Sequence, residues 1–258
     1  MKAQRLRELH AGPSLLVLPN AWDAGSAAVI QQAGAPAVAT TSAGVAWSCG
    51  WPDGDRLPAS EMLAAAIRIV RVLDVPLTVD IEEGCSDHPD EVGEFVASLA
   101  EAGVAGINIE DGTKQPSLLV AKLNAIRAAL GTRDLFINTR TDVILRGMTS
   151  GDAAVDEVVA RAKAYRDAGG DGMFVPGIAS TDDIGRVVAG IGDMPLNVML
   201  VPNLPSREAL FAAGARRLSA GIALSLEAYA TAGRMAAEFM GVEAKSVTYG
   251  GFNAMLDR

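Results

Sequence analysis

Residues 77–111 read LTVDIEEGCSDHPDEVGEFVASLAEAGVAGINIED, and this stretch decides the fold. It opens on a short β-rich run, Leu77–Ile81, that leads into carboxylates. An amphipathic, helix-like segment follows over Asp90–Ala102 and stops at the Ala102-Gly103 step. Glycine suits the left-handed position just past a helix. A second run, Gly106–Asp111, again ends in acids. Strands separated by a helix point to a parallel βαβ unit.

The unit repeats in both directions. Further candidate strands are Leu15–Pro19, Ala37–Ser42, Leu135–Arg140, Gly172–Val175, Leu196–Val201 and Arg217–Ala220. Helical segments fall at Ser60–Leu73, Leu118–Leu130, Asp152–Ala168 and Ser206–Ala213. Ala-Gly steps recur at Ala33-Gly34, Ala168-Gly169 and Ala213-Gly214. Eight rounds in 258 residues predict an α/β fold, a (β/α)8 TIM-type barrel. The alternative, an open doubly wound sheet, lacks a GxGxxG after the first strand. One domain is expected over 1–258, with the barrel at about 13–221 and a C-terminal helical appendage at about 222–258. That appendage either caps its own barrel or packs on a neighbouring subunit.

Half of the residues are apolar, enough for a sizeable core. A net charge of −9 argues against nucleic acid or an anionic membrane as partner, since both need a basic face. Cys49 and Cys85 show neither a disulfide pattern nor zinc-type spacing. Met1–Gly12 is charged and lacks the apolar centre of a signal peptide, and no run is long enough to span a membrane. A soluble, cytoplasmic protein is expected. His10 and His88 read as solvated, and Cys85 has no evident basic partner to activate it.

In a barrel, chemistry gathers at the carboxyl ends of the strands. The period of two puts Asp80 and Glu82 on one side of their strand, and likewise Asn108 with Glu110, and Asn138, Arg140 and Asp142 together. Carboxylates crowded in this way repel one another unless a cation neutralises them. Oxygen ligands without His or Cys favour Mg²⁺ or Mn²⁺; otherwise the acids simply pair with Arg140. The planar fork of Arg140 matches a substrate carboxylate, or pairs with Asp142 or Glu110 instead. Asn197 either adds a hydrogen bond to substrate or serves as a buried structural amide. Thr41–Val45 reads as a small-residue loop whose backbone amides can approach an anion.

At these residues the chain resembles the isocitrate lyase and phosphoenolpyruvate mutase superfamily. The resemblance rests on Pro19-Asn20-Ala21-Trp22-Asp23, the Thr41–Val45 loop with Trp51-Pro52-Asp53, and Val79-Asp80-Ile81-Glu82-Glu83-Gly84. It continues through Gly106–Asp111, Asn138-Thr139-Arg140-Thr141-Asp142 and Phe174-Val175-Pro176-Gly177. It implies a metal-dependent barrel with an exchanged C-terminal helix, assembled as a homo-tetramer or dimer. It implies that Asp80 binds Mg²⁺ (or Mn²⁺) directly and that Glu82, Glu110 and Asp53 hold the metal's waters. Ser42, Ala43 and Gly44 would bind the substrate carboxylate, and Arg140 its reacting end.

The departures are equally specific. Isocitrate and methylisocitrate lyases carry a cysteine-bearing loop after the fourth strand, whereas here Gly112-Thr113-Lys114-Gln115-Pro116-Ser117 has none. Lys114 echoes the lysine of the mutase and hydrolase relatives. Thr40 replaces an aromatic residue, and Glu82 replaces Asp. The leading expectation is a Mg²⁺-dependent carbon–carbon lyase for a small 2-oxo or 2-hydroxy (di)carboxylate, acting through a pyruvate enolate-type intermediate. The alternatives are phosphonopyruvate mutase or hydrolase chemistry, and a catalytically silent barrel that binds a 2-oxo acid.

Overall fold

The computed structural model describes residues 2–257; the outermost positions of the expected domain, Met1 and Arg258, lie outside the described residues. All strands are parallel. They are β1 (Leu16–Leu18), β2 (Asn20–Ala21), β3 (Val38–Thr40), β4 (Leu77–Asp80), β5 (Gly106–Glu110), β6 (Phe136–Arg140), β7 (Gly172–Phe174), β8 (Leu196–Met199) and β9 (Ala215–Ser219). Pairing runs in sequence order from β2 to β9, and β9 then pairs with β1. β1 and β2 are two halves of one strand. Pro19 between them has no N–H for the ladder, although its carbonyl still accepts from the Ala39 amide at 3.1 Å. The circuit closes through this split strand, which gives the expected eight-stranded barrel.

The helices are α1 (Lys2–His10), α2 (Ala24–Gln32), α3 (Ser42–Ser48), α4 (Ala59–Val70), α5 (Pro89–Glu101) and α6 (Pro116–Leu130). They continue with α7 (Asp152–Asp167), α8 (Thr181–Ile191), α9 (Arg207–Ala212), α10 (Ala223–Met240) and α11 (Tyr249–Leu256). Gly103 closes α5 at φ +92°, the left-handed stop expected there.

Strand alternation sorts the side chains between two environments. Leu77, Val79, Ile107, Ile109 and Ile137 face outward and pack with Val96, Leu99, Leu123 and Ile126 of the surrounding helices. The intervening residues face the barrel axis. Asn138 donates to Asn108 at 2.9 Å and to Asn197 at 3.0 Å, the second bond crossing over β7. Glu110 and Asp111 show the same alternation at a strand end. Asp111 turns out to Arg161 and to the Tyr165 hydroxyl on α7, at 2.9 and 2.6 Å, leaving Glu110 on the cavity side.

α1 forms the barrel floor. Leu6 is fully buried among Leu16, Leu18, Ala37, Ala39, Ala105 and Phe136. His10 is therefore not solvated, contrary to the sequence expectation: its ring stacks on Phe136 at 4.4 Å. Nδ1 donates to the Leu6 carbonyl at 2.7 Å. Burial, assisted by the charge of Arg217, brings the His10 pKa from 6.5 down to about 3. Across that window the unfolded chain takes up a proton that the folded chain refuses, so stability falls as the pH drops below 6.5. His10→Gln is expected to reduce the stability difference between pH 7 and pH 5 by about 2 kcal/mol. Urea unfolding at both pH values checks this, and an unchanged difference would show that His10 titrates normally in the folded protein.

Among the described residues, no helix is long and apolar enough to cross a membrane.

Candidate active site

The carboxyl ends of the strands open onto a cavity of about 430 Å³, within the size range of small-molecule sites. Its polar wall includes Asn20, Ser42, Asp53, Asp80, Asn108 and Arg140. Asp80 is the last residue of β4, and its amide donates to the Thr40 hydroxyl at 2.9 Å. Thr40, which departs from the family pattern, thus fixes the backbone that carries the central carboxylate.

Strand alternation does not explain how Glu82 reaches the site. β4 stops at Asp80, and Glu82 adopts a left-handed turn at φ +52°. That turn, not the pleat, brings its carboxylate toward the acids of the site. Its amide donates to Asp80 Oδ1 at 3.2 Å, and its carboxylate accepts the Asp55 amide. Burial, reinforced by Asp53 and Asp80, pushes the Glu82 pKa up to about 8. Burial likewise raises Asp80 and, more strongly, Glu110, in both cases against the pull of Arg140.

Arg140 spans two acids. Nη1 lies 2.6 Å from Glu110 Oε2, while Nε and Nη2 hold the two oxygens of Asp142 at 2.7 and 3.1 Å. Its guanidinium also sits 5.6 Å from the Phe174 ring centroid. The pairings with Glu110 and Asp142, read from sequence as alternatives to substrate binding, are both made. Arg140 nevertheless remains on the cavity wall.

These residues suit a hydrated divalent ion. The donors are hard oxygens, and Asp53 Oδ1 is buried without a hydrogen-bond partner. Asp53 and Asp80 line the cavity, whereas Glu82 and Glu110 stand behind it. Among the described residues, no three Asp, Glu, His or Cys side chains converge as a complete ligand cage. Direct ligation would therefore fall to one or two carboxylates with water filling the rest, as Mg²⁺ prefers.

The Thr41–Val45 segment is not a loop: Ser42, Ala43 and Gly44 form the first turn of α3. Their amides precede the first possible intrahelical acceptor. A Cβ on Gly44 would lie 2.7 Å from both Thr41 Cγ2 and Trp22 Cβ. Gly44→Ala should therefore lower stability by about 1–3 kcal/mol through overpacking; an unchanged urea midpoint would refute this.

Two expected site residues stand elsewhere. Lys114 is outside the cavity lining, paired with Glu83 at 2.7 Å and with Asp87. Asn197 is buried in the barrel interior. Its amide nitrogen donates to the Val198 carbonyl at 2.6 Å, and its oxygen accepts from Asn138. Burial, with the charges of Asp55 and Glu82, pushes the Cys85 thiol up to about 12, which keeps it from forming thiolate near neutral pH.

Other residues of the site region were not foreseen. The Tyr249 hydroxyl donates to Asp53 Oδ2 at 2.6 Å. Asn253 Oδ1 accepts from Trp47 Nε1 at 2.6 Å and from the Asp53 amide at 3.1 Å. α11 thus clasps the Asp53 segment. Arg217, fully buried in β9, donates from Nη2 to Asn108 at 3.2 Å, and its charge acts on Asp80 from below. The adjacent pair Arg216-Arg217 at the start of a candidate strand was the available sequence signal, because alternation turns one of the two inward.

Comparisons with known proteins agree with this fold. The model of the phosphoenolpyruvate phosphomutase family matches residues 6–240. An uncharacterized protein of Mycobacterium tuberculosis is 37% identical over 218 residues, covering 83% of this chain and 80% of that one. The 2,3-dimethylmalate lyase of Eubacterium barkeri is 33% identical over 199 residues, covering 72% of this chain and 66% of that enzyme. A crystal structure of a 2,3-dimethylmalate lyase superimposes with a TM-score of 0.81 at 26% identity, covering 99% of this chain and 94% of that one. A solved structure from Burkholderia cenocepacia J2315 reaches a TM-score of 0.86 at 39% identity, covering 91% of this chain and 98% of that one. With that match running through the strand ends that carry Asp80, Glu110 and Arg140, the chain belongs to the phosphoenolpyruvate phosphomutase family, within the isocitrate lyase and phosphoenolpyruvate mutase superfamily of lyases and mutases.

Proposed function

We propose that this chain is a Mg²⁺- or Mn²⁺-dependent carbon–carbon lyase that cleaves a small 2-oxo or 2-hydroxy acid through a pyruvate enolate-type intermediate. The observation that carries the reading is Asp53 Oδ1, a buried carboxylate oxygen without a partner, on the same cavity wall as Asp80. A bound divalent ion would supply positive charge that draws electron density onto the substrate's 2-oxo oxygen. Asp80 would serve as its direct ligand, and Asp53, Glu82 and Glu110 would hold its waters. The first-turn amides of Ser42, Ala43 and Gly44 receive the substrate carboxylate. Arg140 gives Nε–H and one Nη2–H to Asp142 and turns Nη1 to Glu110 as an ion pair, so the second N–H of Nη2 is left for a substrate oxygen. Its charge then opposes the build-up of negative charge as the carbon–carbon bond breaks.

Lyase chemistry is represented among the relatives by the 2,3-dimethylmalate lyase of Eubacterium barkeri. Carbon–phosphorus chemistry loses its particular support, because Lys114 is tied to Glu83 and Asp87 away from the cavity. Phosphorus NMR with phosphonopyruvate tests that alternative, and ligand binding without turnover would mark a silent barrel. Met235, Phe239 and Met240 on α10 are exposed, and the proposed homo-oligomer, a tetramer or dimer, covers them. The decisive assay is turnover of a panel of 2-oxo and 2-hydroxy acids with Mg²⁺, stopped by chelator and restored by added ion. If no acid in a broad panel is turned over in a Mg²⁺-dependent way, the reading fails.

A further inference from the structure

The cavity wall changes character around the ring. From β2 to β6 the strand ends present amide, hydroxyl, carboxylate and guanidinium groups. From the segment after β6 round to the start of α10 it is apolar: Leu145, Phe174, Met199, Leu200, Ile222 and Ala223. The polar residue on that side, Ser219, is already engaged, bonded to Asn197 and close to the Val198 carbonyl.

Positive charge is equally one-sided. Arg140 is the one cationic side chain on the cavity wall among the described residues, and it is already paired with Glu110 and Asp142. The neighbouring cavity, which shares Leu200, Ser219 and Ala220, adds Val17, Leu18, Leu204 and Leu224 and a single exposed cation, Arg207. A second substrate carboxylate on the apolar side would lose its water with no cationic side chain on that wall, among the described residues, to offset its charge, a large desolvation penalty.

Size points the same way. A three-carbon 2-oxo acid has six heavy atoms, which at about 30 Å³ each occupy roughly 180 Å³. The cavity is about 430 Å³. Space therefore remains for several carbons on the side away from Asp80.

We infer that the substrate carries one carboxylate, at the reacting end, and an uncharged alkyl substituent that lies against Phe174, Met199 and Leu200. This inference rests on the proposed metal-dependent handling of 2-oxo acids and specifies its substrate class. Each methylene placed on that wall should tighten binding about fourfold.

The test is calorimetry in Mg²⁺ with oxalate, pyruvate, 2-oxopentanoate and 2-oxoglutarate. Oxalate reports the reacting end alone. 2-Oxopentanoate and 2-oxoglutarate have the same five-carbon chain and differ by one carboxylate. The expected result is that 2-oxopentanoate binds at least about tenfold tighter than either pyruvate or 2-oxoglutarate. Leu200 is half exposed, so Leu200→Lys can be accommodated without burying a charge, and it should reverse the preference in favour of 2-oxoglutarate. If oxalate binds with Mg²⁺ but 2-oxoglutarate equals or exceeds 2-oxopentanoate, the substrate class is overturned while the metal-dependent reading stands. Tighter 2-oxoglutarate binding that disappears in Arg207→Ala would locate a second carboxylate and overturn it on its own. If none of the four binds in a Mg²⁺-dependent way, the metal-dependent reading itself falls.

Discussion

Asp80→Asn is expected to raise the melting temperature of the chelator-treated protein at pH 8 by several degrees and to lower turnover by at least about 10³-fold. The two effects have one origin. Asp80 keeps some exposure to the cavity but sits deep among protein atoms, and burial raises its pKa. For a carboxyl whose folded-state pKa is raised, stability is fully present below the unfolded value and is lost as the pH climbs through the folded one. At pH 8, far above the ordinary carboxylate range, Asp80 therefore works against the fold when no ion is bound, and a neutral amide removes that penalty. The same replacement removes the proposed direct ligand. Mg²⁺ at a hundred times its dissociation constant should stabilise the parent protein by about 2.7 kcal/mol and the variant hardly at all. Differential scanning calorimetry with and without ion reads both effects. A variant that melts lower than the parent in chelator, or responds to Mg²⁺ as the parent does, contradicts this account.

Arg140→Met should have the largest cost to stability, about 3–5 kcal/mol, because it leaves buried charges without their partner. The side chains of Glu110 and Asp142 are 8% and 0% exposed, so water cannot take the place of the guanidinium. The two acids are not equally stranded. Asp142 keeps Arg146 at 2.8 Å, whereas Glu110 Oε2 has no other partner. Adding Glu110→Gln to Arg140→Met should therefore restore more stability than adding Asp142→Asn. Urea unfolding of the two double variants decides the point, and equal recovery would mean that Arg146 contributes nothing to holding Asp142.

The barrel was legible because each βαβ unit announces itself locally. Short β-rich runs, amphipathic helices and Ala-Gly stops need no knowledge of the rest of the chain. The carboxylates were legible for the same reason, since strand ends mark the active face. Local reading failed where a long-range contact or a turn intervenes. Glu82 reaches the site through a left-handed turn, although alternation had suggested a continuing strand. Lys114 is drawn off by Glu83 and Asp87, acids whose proximity depends on how two loops fold together. His10 was read as solvated because nothing in Lys2–His10 reveals that it will meet Phe136 at the barrel floor. Tyr249 lies 196 positions from Asp53, beyond the reach of any periodicity argument.

That last separation gives the active site an order in time. A chain grows from its amino end, so every barrel strand has been synthesised before Tyr249 and Asn253 are added. Until then the Asp53 segment lacks the hydroxyl and amide that fasten it, and Trp47 lacks its acceptor. The nascent barrel can close its sheet while its Asp53 loop is still loose. The helix that finishes the site leaves the ribosome only after every strand of the barrel.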